Sequence, residues 1–103
     1  MTPTARTLAE LRKDGYLAAV VEKWNPHAKI RQDLFGCVDV LGIREGETIA
    51  VQATSGSNVA SRIKKMTDTE ALHTMRKAGW TIQVWGWRKG SHGRWEVRIE
   101  DLS

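Results

Sequence analysis

The sequence predicts an α/β protein in which helices cover both faces of a mixed five-stranded sheet, in the order helix, three strands, helix, two strands. Apolar residues recur at helical spacing near the start of the chain and again after residue 57. Two strand-like runs in the middle, FGCVDVLGI and TIAVQAT, are apolar at odd and even positions, so both faces of their sheet need cover. The 103 residues, 41% of them hydrophobic, suit a single domain over residues 1–103.

Residues typical of helix caps and tight turns predict where the helices and strands begin and end. Gly15 and Gly79 follow the two helical patterns as C-caps, Ser57 is positioned to cap the second helix, and a Thr67–Glu70 capping box restarts or continues that helix. The polar stretch Arg44–Glu47 is typical of a tight hairpin turn. The expected elements are a helix over 4–14, strands over 16–24, 35–43 and 48–54, a helix over 57–78, and strands over 80–87 and 95–99, with turns at 25–26 and 89–94.

Composition narrows the class of protein. Sixteen Lys and Arg residues against twelve Asp and Glu give a net charge of +4, which is a mild bias towards phosphate backbones. Cys37 is the only cysteine, so the sequence offers neither a disulfide framework nor a cysteine-based zinc site. Without a run of about 18 apolar residues or an apolar leader, we expect no membrane partner, no signal peptide and a reduced, cytoplasmic setting.

Asp39 interrupts an apolar strand. A carboxylate there is costly to bury unless it is paired, hydrogen-bonded or bound to a metal. Two interpretations stay open: a structural acid satisfied by Arg31 or Arg62, or a ligand of a hard divalent cation such as Mg²⁺ or Mn²⁺.

Gln52 and Thr54 share one face of the next strand, which the hairpin joins to the Asp39 strand. Counting through the turn brings Asp39 beside Gln52. The Asp39 carboxylate, the Gln52 amide oxygen and the Ala53 carbonyl can then converge on one ion. An ordinary polar strand end beside a Ser/Gly loop has the same appearance, so this alternative also stays open.

Polar residues flank these strands. Asp33 is a candidate second acid at the mouth of such a site, and Arg31 is a candidate for binding phosphate. Ser55, Ser57 and Asn58 begin the second helix and can offer hydroxyl and backbone N–H groups to a phosphate oxygen. Surface polarity of a turn and simple N-capping explain the same residues equally well.

Four of the five tryptophans fall in the last two strands: Trp80, Trp85, Trp87 and Trp95. Alternation places Trp85 and Trp87 on one face of the sheet and Trp80 on the other. Core packing is the ordinary role of such rings. Trp87 beside Arg88 and Lys89 also fits a surface on which a ring stacks on an unpaired base.

The element order and the spacing of these residues resemble the PD-(D/E)XK nuclease superfamily, in particular its archaeal Holliday-junction-resolvase-like branch. Members have a first helix with a Glu, a strand ending in Asp, a hairpin, and a strand carrying Glu-x-Lys, followed by a helix and two strands. Here Glu10 matches the helix acid and Asp39 the strand acid, and Gln52-Ala53-Thr54 falls where Glu-x-Lys belongs. The resemblance covers residues 5–88 in element order and implies a restriction-endonuclease-like sandwich.

The sequence departs from that motif at two positions. Gln52 replaces the Glu, but an amide oxygen can still bind a metal or its water. Thr54 replaces the Lys, which in the family positions the attacking water and offsets charge on the phosphate. Some members recruit this lysine from the following helix, where Lys64 and Lys65 lie about two turns in, with Arg62 as a further candidate.

The resemblance therefore implies a metal-dependent DNA endonuclease of phage or bacterial type, working as a homodimer with Mg²⁺ or Mn²⁺, on substrates such as branched or Holliday-junction DNA. The implied catalytic residues are Asp39, Gln52, Thr54, Lys64 and Glu10, and the implied metal ligands are Asp39, Gln52 and Ala53. The expected DNA contacts are Arg31, Ser55, Ser57, Asn58, Arg62, Lys65, Trp87, Arg88 and Lys89. Two alternatives remain: a catalytically inactive nuclease fold that binds DNA or protein, and a small protein-interaction module.

Overall fold

The computed structural model describes all residues, 1–103. In chain order the elements are helix α1 (Pro3–Lys13), strands β1 (Leu17–Val20), β2 (Lys23–Asn25), β3 (Ile30–Gln32), β4 (Val40–Arg44) and β5 (Glu47–Ser55), a 3-10 turn (Gly56–Asn58), helices α2 (Val59–Thr67) and α3 (Ala71–Lys77), strand β6 (Thr81–Lys89), a second 3-10 turn (Ser91–Gly93) and strand β7 (Trp95–Asp101). None of the helices has the length and apolar character needed to cross a membrane.

Five strands form one mixed sheet in the order β1-β4-β5-β6-β7, and β2 pairs with β3 in a separate two-stranded sheet. All neighbours in the large sheet are antiparallel except β5 and β6, which are parallel because α2 and α3 cross between them. The β4–β5 turn is the predicted tight hairpin, in which Gly46 takes a positive φ of 71°. The predicted α/β sandwich with a mixed five-stranded sheet is confirmed.

Apolar side chains fill the space on both faces of the sheet. On one face, α1 packs on the sheet in a cluster of Leu11, Tyr16, Ala18, Val40, Ile49, Val51, Trp85 and Trp87. On the other face, residues of α2 and α3 pack with residues of the sheet and of the turn before β4 in a cluster of Cys37, Val38, Ala50, Val59, Met66, Leu72, Met75, Ile82 and Val84. Trp85 and Trp87 share one face, and Trp80 packs on the other, as strand alternation predicts. Two-sided cover explains why the central strands are apolar at successive positions.

The first helix begins and ends with strong local signals. The Thr2 side chain accepts a hydrogen bond from the Ala5 backbone N–H at 3.1 Å, and Gly15 follows the helix with a φ of 91°. Near that end, the Arg12 guanidinium donates from Nε and Nη2 to the Ala18 carbonyl at 3.3 and 3.0 Å. Arg12 therefore ties α1 to the edge strand β1.

The strand predicted over residues 16–24 is interrupted. β1 ends at Val20, and after the Val21 N–H donates to the Asp39 carbonyl, the chain leaves the large sheet. It then forms a hairpin from β2 and β3, closed by the Asn25 side chain, which accepts from the N–H groups of His27 and Ala28. A run of strand-like residues is thus shared between two sheets.

The strand predicted over residues 35–43 begins late, at Val40. The preceding residues form a tight turn in which Phe35 and Gly36 have φ values of 54° and 78°, and Leu34 pairs with Val38 across it. Phe35 is not a residue type that favours the left-handed region, so the sequence did not indicate this turn.

The predicted caps of the second helical region are also wrong. A 3-10 turn precedes α2, whose N-cap is Asn58 rather than Ser57, with no side-chain hydrogen bond. The capping box does not form, because the Thr67 and Thr69 hydroxyls donate backwards to the carbonyls of Lys64 and Lys65. Two helices, α2 and α3, therefore stand where one was expected.

Candidate metal and phosphate site

Three acidic side chains converge on one cleft. Glu22 follows β1, Asp33 follows β3, and Asp39 immediately precedes β4. One carboxylate oxygen of each lies within 4.8 Å of the others. The cleft, about 390 Å³ in volume, opens between the start of α1, represented by Thr4, and α2. Three carboxylates this close repel one another unless a cation or shared protons compensate them.

Asp39 is held by the hairpin that follows it. The residue is 4% exposed, and its Oδ2 accepts hydrogen bonds from Gln52 Nε2 and from the Ala53 backbone N–H, the latter at 2.9 Å. The Asp39 N–H donates to the Val51 carbonyl at 2.9 Å, which continues the β4–β5 register. The predicted proximity of Asp39 and Gln52 is therefore present, with β5 supplying both donors.

Gln52 has one amide atom without a protein partner. The side chain is 2% exposed and lines the cleft, and while Nε2 donates to Asp39, Oε1 accepts no hydrogen bond. A buried polar atom left in this way costs about 1–3 kcal/mol. An amide oxygen among carboxylates is what a hard divalent cation takes as a ligand, so the residues present fit Mg²⁺ or Mn²⁺.

Three cationic side chains also line the cleft. Lys65 Nζ lies 2.7 Å from Asp33 Oδ2, and Arg31 lies 3.6 Å from Glu22. Arg62 Nε is buried and has no hydrogen-bond partner. Acids and cations are therefore adjacent but only partly neutralise one another, which leaves capacity for both a cation and an anion.

Asp33 and Asp39 differ in pKa, and therefore in protonation near neutral pH. Burial, hydrogen bonding with Asp33 and the charge of Asp33 raise the pKa of Asp39 to about 7. Burial opposes ionisation of Asp33 as well, but its hydrogen bonds with Asp39 and Lys65 and the charge of Lys65 hold the pKa of Asp33 below its usual value. Near neutral pH Asp33 is thus ionised, and Asp39 is the carboxyl that readily gains or loses a proton.

The structure brings six of the residues predicted for the site together in this cleft: Arg31, Asp39, Gln52, Ala53, Arg62 and Lys65. The other three predicted catalytic residues do not line it. Lys64 points away and pairs with Asp68 at 2.9 Å, and Thr54 is buried in the sheet with 5% exposure. Glu10 lies six residues beyond Thr4, about 9 Å further along α1.

Sequence reasoning missed Glu22 and weighed Asp33 only as an acid at the mouth of the site. Glu22 supplies the third carboxylate, in the place the resemblance gave to Glu10. Its signal was available, because Glu22 is an acid in the apolar run YLAAVVEKW. The same reasoning that singled out Asp39 applies to it.

The remaining predicted DNA contacts lie apart from the cleft. Ser55 Oγ accepts from Asn58 Nδ2 at 3.0 Å and lies 3.3 Å from Ser57 Oγ. Trp87 is 8% exposed, and its Nε1 donates to Thr7 Oγ1 at 3.0 Å, so neither ring face is open to a base. Two basic residues, Arg88 and Lys89, line a separate depression beside Ser57.

The fold and cleft together define an α/β protein with a carboxylate-rich, cation-rimmed site at the end of a β-hairpin. Comparisons with protein-family models, with curated proteins and with solved structures gave no match. The chemistry of the site is therefore inferred from the residues that line the cleft.

Proposed function

We propose that this protein is a metal-dependent nuclease that hydrolyses phosphodiester bonds of DNA in the acidic cleft. The observation that carries the proposal is the convergence of Glu22, Asp33 and Asp39 in one cleft, which Gln52, with its unpartnered Oε1, also lines. Apart from the additional β2–β3 hairpin and the division of the second helix into α2 and α3, the element order is the one that the resemblance to PD-(D/E)XK nucleases implies. We infer that DNA is the partner, in a reduced cytoplasm that suits the buried, unpaired Cys37.

The three carboxylates, the Gln52 amide oxygen and the Ala53 carbonyl are the groups that would hold Mg²⁺ or Mn²⁺. Such an ion, when bound, supplies an activated water and neutralises charge on the phosphate. Gln52 Nε2 and the Ala53 N–H orient the Asp39 carboxylate for this task, because both donate to the same oxygen. The β5 strand therefore orients this one oxygen of Asp39 before any ion binds.

Lys65 is the cation best placed to replace the motif lysine. Its ammonium lies in the cleft beside Asp33, whereas Lys64 is exposed and paired outside it and Thr54 carries no charge. We propose that Lys65 offsets the charge that builds on the phosphate, and that Arg62 and Arg31 bind its other oxygens. The buried, unpartnered Nε of Arg62 is available for this.

The test is a cleavage assay on duplex, single-stranded and four-way DNA in Mg²⁺, Mn²⁺ and EDTA. We expect metal-dependent cleavage that Asp39→Asn abolishes. Lys65→Ala is expected to lower the rate by about 10²–10³-fold, the cost of losing one donor to a developing charge. Lys64→Ala is the matched control and should leave the rate within about twofold, since exposed substitutions are nearly neutral.

No cleavage by the wild-type protein in any metal would refute the hydrolytic proposal. Equal losses in Lys64→Ala and Lys65→Ala would remove Lys65 from its assigned role while leaving the metal site in place.

A second candidate function is DNA binding without hydrolysis. The burial of Thr54 at the position of the motif lysine favours it, since β5 then carries no cationic side chain into the cleft. It is distinguished by Mn²⁺ titration and DNA binding in parallel. No metal binding, with DNA affinity unchanged in Asp39→Ala, would favour this function over the nuclease.

We further propose that two copies associate. The sheet face near β1 is not covered by α2 and α3, and it exposes Leu17 at 75% and Ile43 at 46% beside Ala19, Val21 and Leu41. An isologous contact through this patch buries the same residues of both copies. Light scattering should show a dimer that Leu17→Glu converts to a monomer, and a monomeric wild-type protein would refute the contact.

A further inference from the structure

The hairpin of β2 and β3 connects two of the three site acids. The chain leaves the cleft after Glu22, runs through residues 23–32, and returns at Asp33. Both strands of this hairpin are solvent-exposed, apart from partly buried Asn25, so the hairpin contributes little to either core. A two-stranded hairpin of this kind is only marginally stable alone. Because the hairpin packs against little else, its position beside the cleft is the feature that indicates a role.

One face of this hairpin looks towards the cleft. Trp24 lies directly opposite Arg31 in the β2–β3 register, so the two side chains share a face. Arg31 lines the cleft and pairs with Glu22. Strand alternation therefore places Trp24 on the same face of the hairpin as Arg31, and it places Ile30, which pairs with Asn25, on the other face.

Trp24 is open to a ligand in a way that the other exposed tryptophan is not. It is 52% exposed, and no ring or guanidinium stacks on it. Trp95, at 44% exposure, is covered by the guanidinium of Arg6, which lies 3.9 Å from the ring centre. The Trp24 indole is therefore free to stack on a planar ligand.

The charge of the hairpin indicates the chemistry of that partner. Residues 23–32 contain the cations Lys23, Lys29 and Arg31 and no acid. An exposed aromatic ring among cations is the arrangement with which proteins bind unpaired nucleotides, because the ring stacks on a base and the cations contact the phosphates. A base inside continuous duplex cannot offer its face to a side chain.

We propose that Trp24 stacks on an unpaired base of DNA next to the phosphate bound in the cleft, and that Arg31 binds the backbone beside it. The substrate class is then DNA with a single-stranded stretch at the bound phosphate, such as a flap, a gap or a boundary between single strand and duplex, rather than continuous duplex. This inference rests on the proposed function for the position of the phosphate, but the binding it describes does not need hydrolysis.

Binding is tested in EDTA at low salt, by fluorescence anisotropy of labelled single-stranded and duplex oligonucleotides. Trp24→Ala is expected to weaken single-strand binding by roughly 5- to 150-fold, the effect of losing one stacked base, and to change duplex binding by less than about twofold. Trp24→Phe should restore most of the single-strand affinity, because a phenyl ring still stacks. Ile30→Ala is the matched control, since it removes an equally exposed apolar side chain from the opposite face of the same hairpin, and should change both affinities by less than about twofold.

Equal losses in Trp24→Ala and Ile30→Ala would overturn the proposal, because the effect would then come from the hairpin as a whole. Unchanged single-strand affinity in Trp24→Ala would also overturn it, and would leave the nuclease proposal standing if metal-dependent cleavage persists. Single-strand binding that depends on Trp24 in a protein that cleaves nothing would support the stacking contact and refute only the hydrolysis.

Discussion

Asp39→Asn should make the metal-free protein more stable at neutral pH while it abolishes metal binding. Asparagine has the shape of aspartic acid, and its Oδ1 can accept both hydrogen bonds that Gln52 and Ala53 donate. Its Nδ2 can donate to Asp33, as the protonated Asp39 carboxyl does. The substitution therefore removes the ionisation of Asp39 and little else.

The size of the effect follows from the pKa of Asp39. Its rise from 3.8 to about 7 corresponds to about 4 kcal/mol of destabilisation once Asp39 is ionised in the folded protein. Below the unfolded pKa both states are protonated and the term is zero. As pH rises from about 4 to about 7 the unfolded chain holds fewer protons than the folded one, so the stability of the wild-type protein falls relative to Asp39→Asn. The opposite contribution of Asp33, whose folded pKa is lowered, is confined to pH below about 4, so it does not overlap.

The measurement is the free energy of unfolding in EDTA, from denaturant curves at several pH values between about 4 and 8. The two proteins should be equally stable at the acidic end, with the variant ahead by up to about 4 kcal/mol at neutral pH. Mn²⁺ at a hundred times its dissociation constant should then return about 2.7 kcal/mol to the wild-type protein and nothing to the variant. Parallel pH curves for the two proteins would refute the argument that Asp39 bears the cost of the acidic cluster.

Three further predictions test the scaffold. Tyr16 is the only tyrosine, and its pKa is raised to about 12, mainly by burial and next by its hydrogen bond to Glu47. Glu47→Gln should lower that pKa part of the way to 10, as measured by tyrosinate absorbance. An unchanged pKa would contradict the role of Glu47. Gly86→Ala should destabilise by about 1–3 kcal/mol in thermal unfolding, because the added Cβ would overlap Val59 Cγ2 across the β6–helix contact, and a neutral substitution would show that α2 can shift. Met66→Ala should cost about 2–5 kcal/mol, since this α2 residue is fully buried against the sheet. A much smaller loss in a denaturant curve would mean that the core collapses around the cavity.

Much of the large sheet could be predicted because its signals are local. The β4–β5 hairpin fixes its own register through a two-residue turn, and that register alone places Asp39 beside Gln52. The departure of the chain after Val21 had no such signal. Periodicity cannot tell a strand of the main sheet from one that pairs in a separate hairpin, so Trp24 was assigned to the wrong sheet.

The rest of the site depends on how elements approach one another. Glu22 and Asp33 meet Asp39 because the β2–β3 hairpin returns the chain to the cleft, and no spacing in the sequence encodes that return. The choice between Lys64 and Lys65 is a matter of helix phase, since adjacent residues differ by about 100° around the axis. The sequence did not predict that a 3-10 turn precedes α2, so it did not predict the rotation of α2 about its axis. In the structure Lys65 is the lysine that reaches the cleft.

The contact of Arg12 with Ala18 also bears on how the molecule avoids aggregation. In the β1–β4 register Ala18 is one of the residues whose backbone groups face outwards from the sheet, and its carbonyl is occupied by the Arg12 guanidinium. A strand from another chain that added to β1 would have to displace this charged side chain and bury it or leave it unpaired. The β1 edge of the sheet is therefore protected against the addition of strands from other chains, while the apolar face beside it stays free for the proposed contact between two copies.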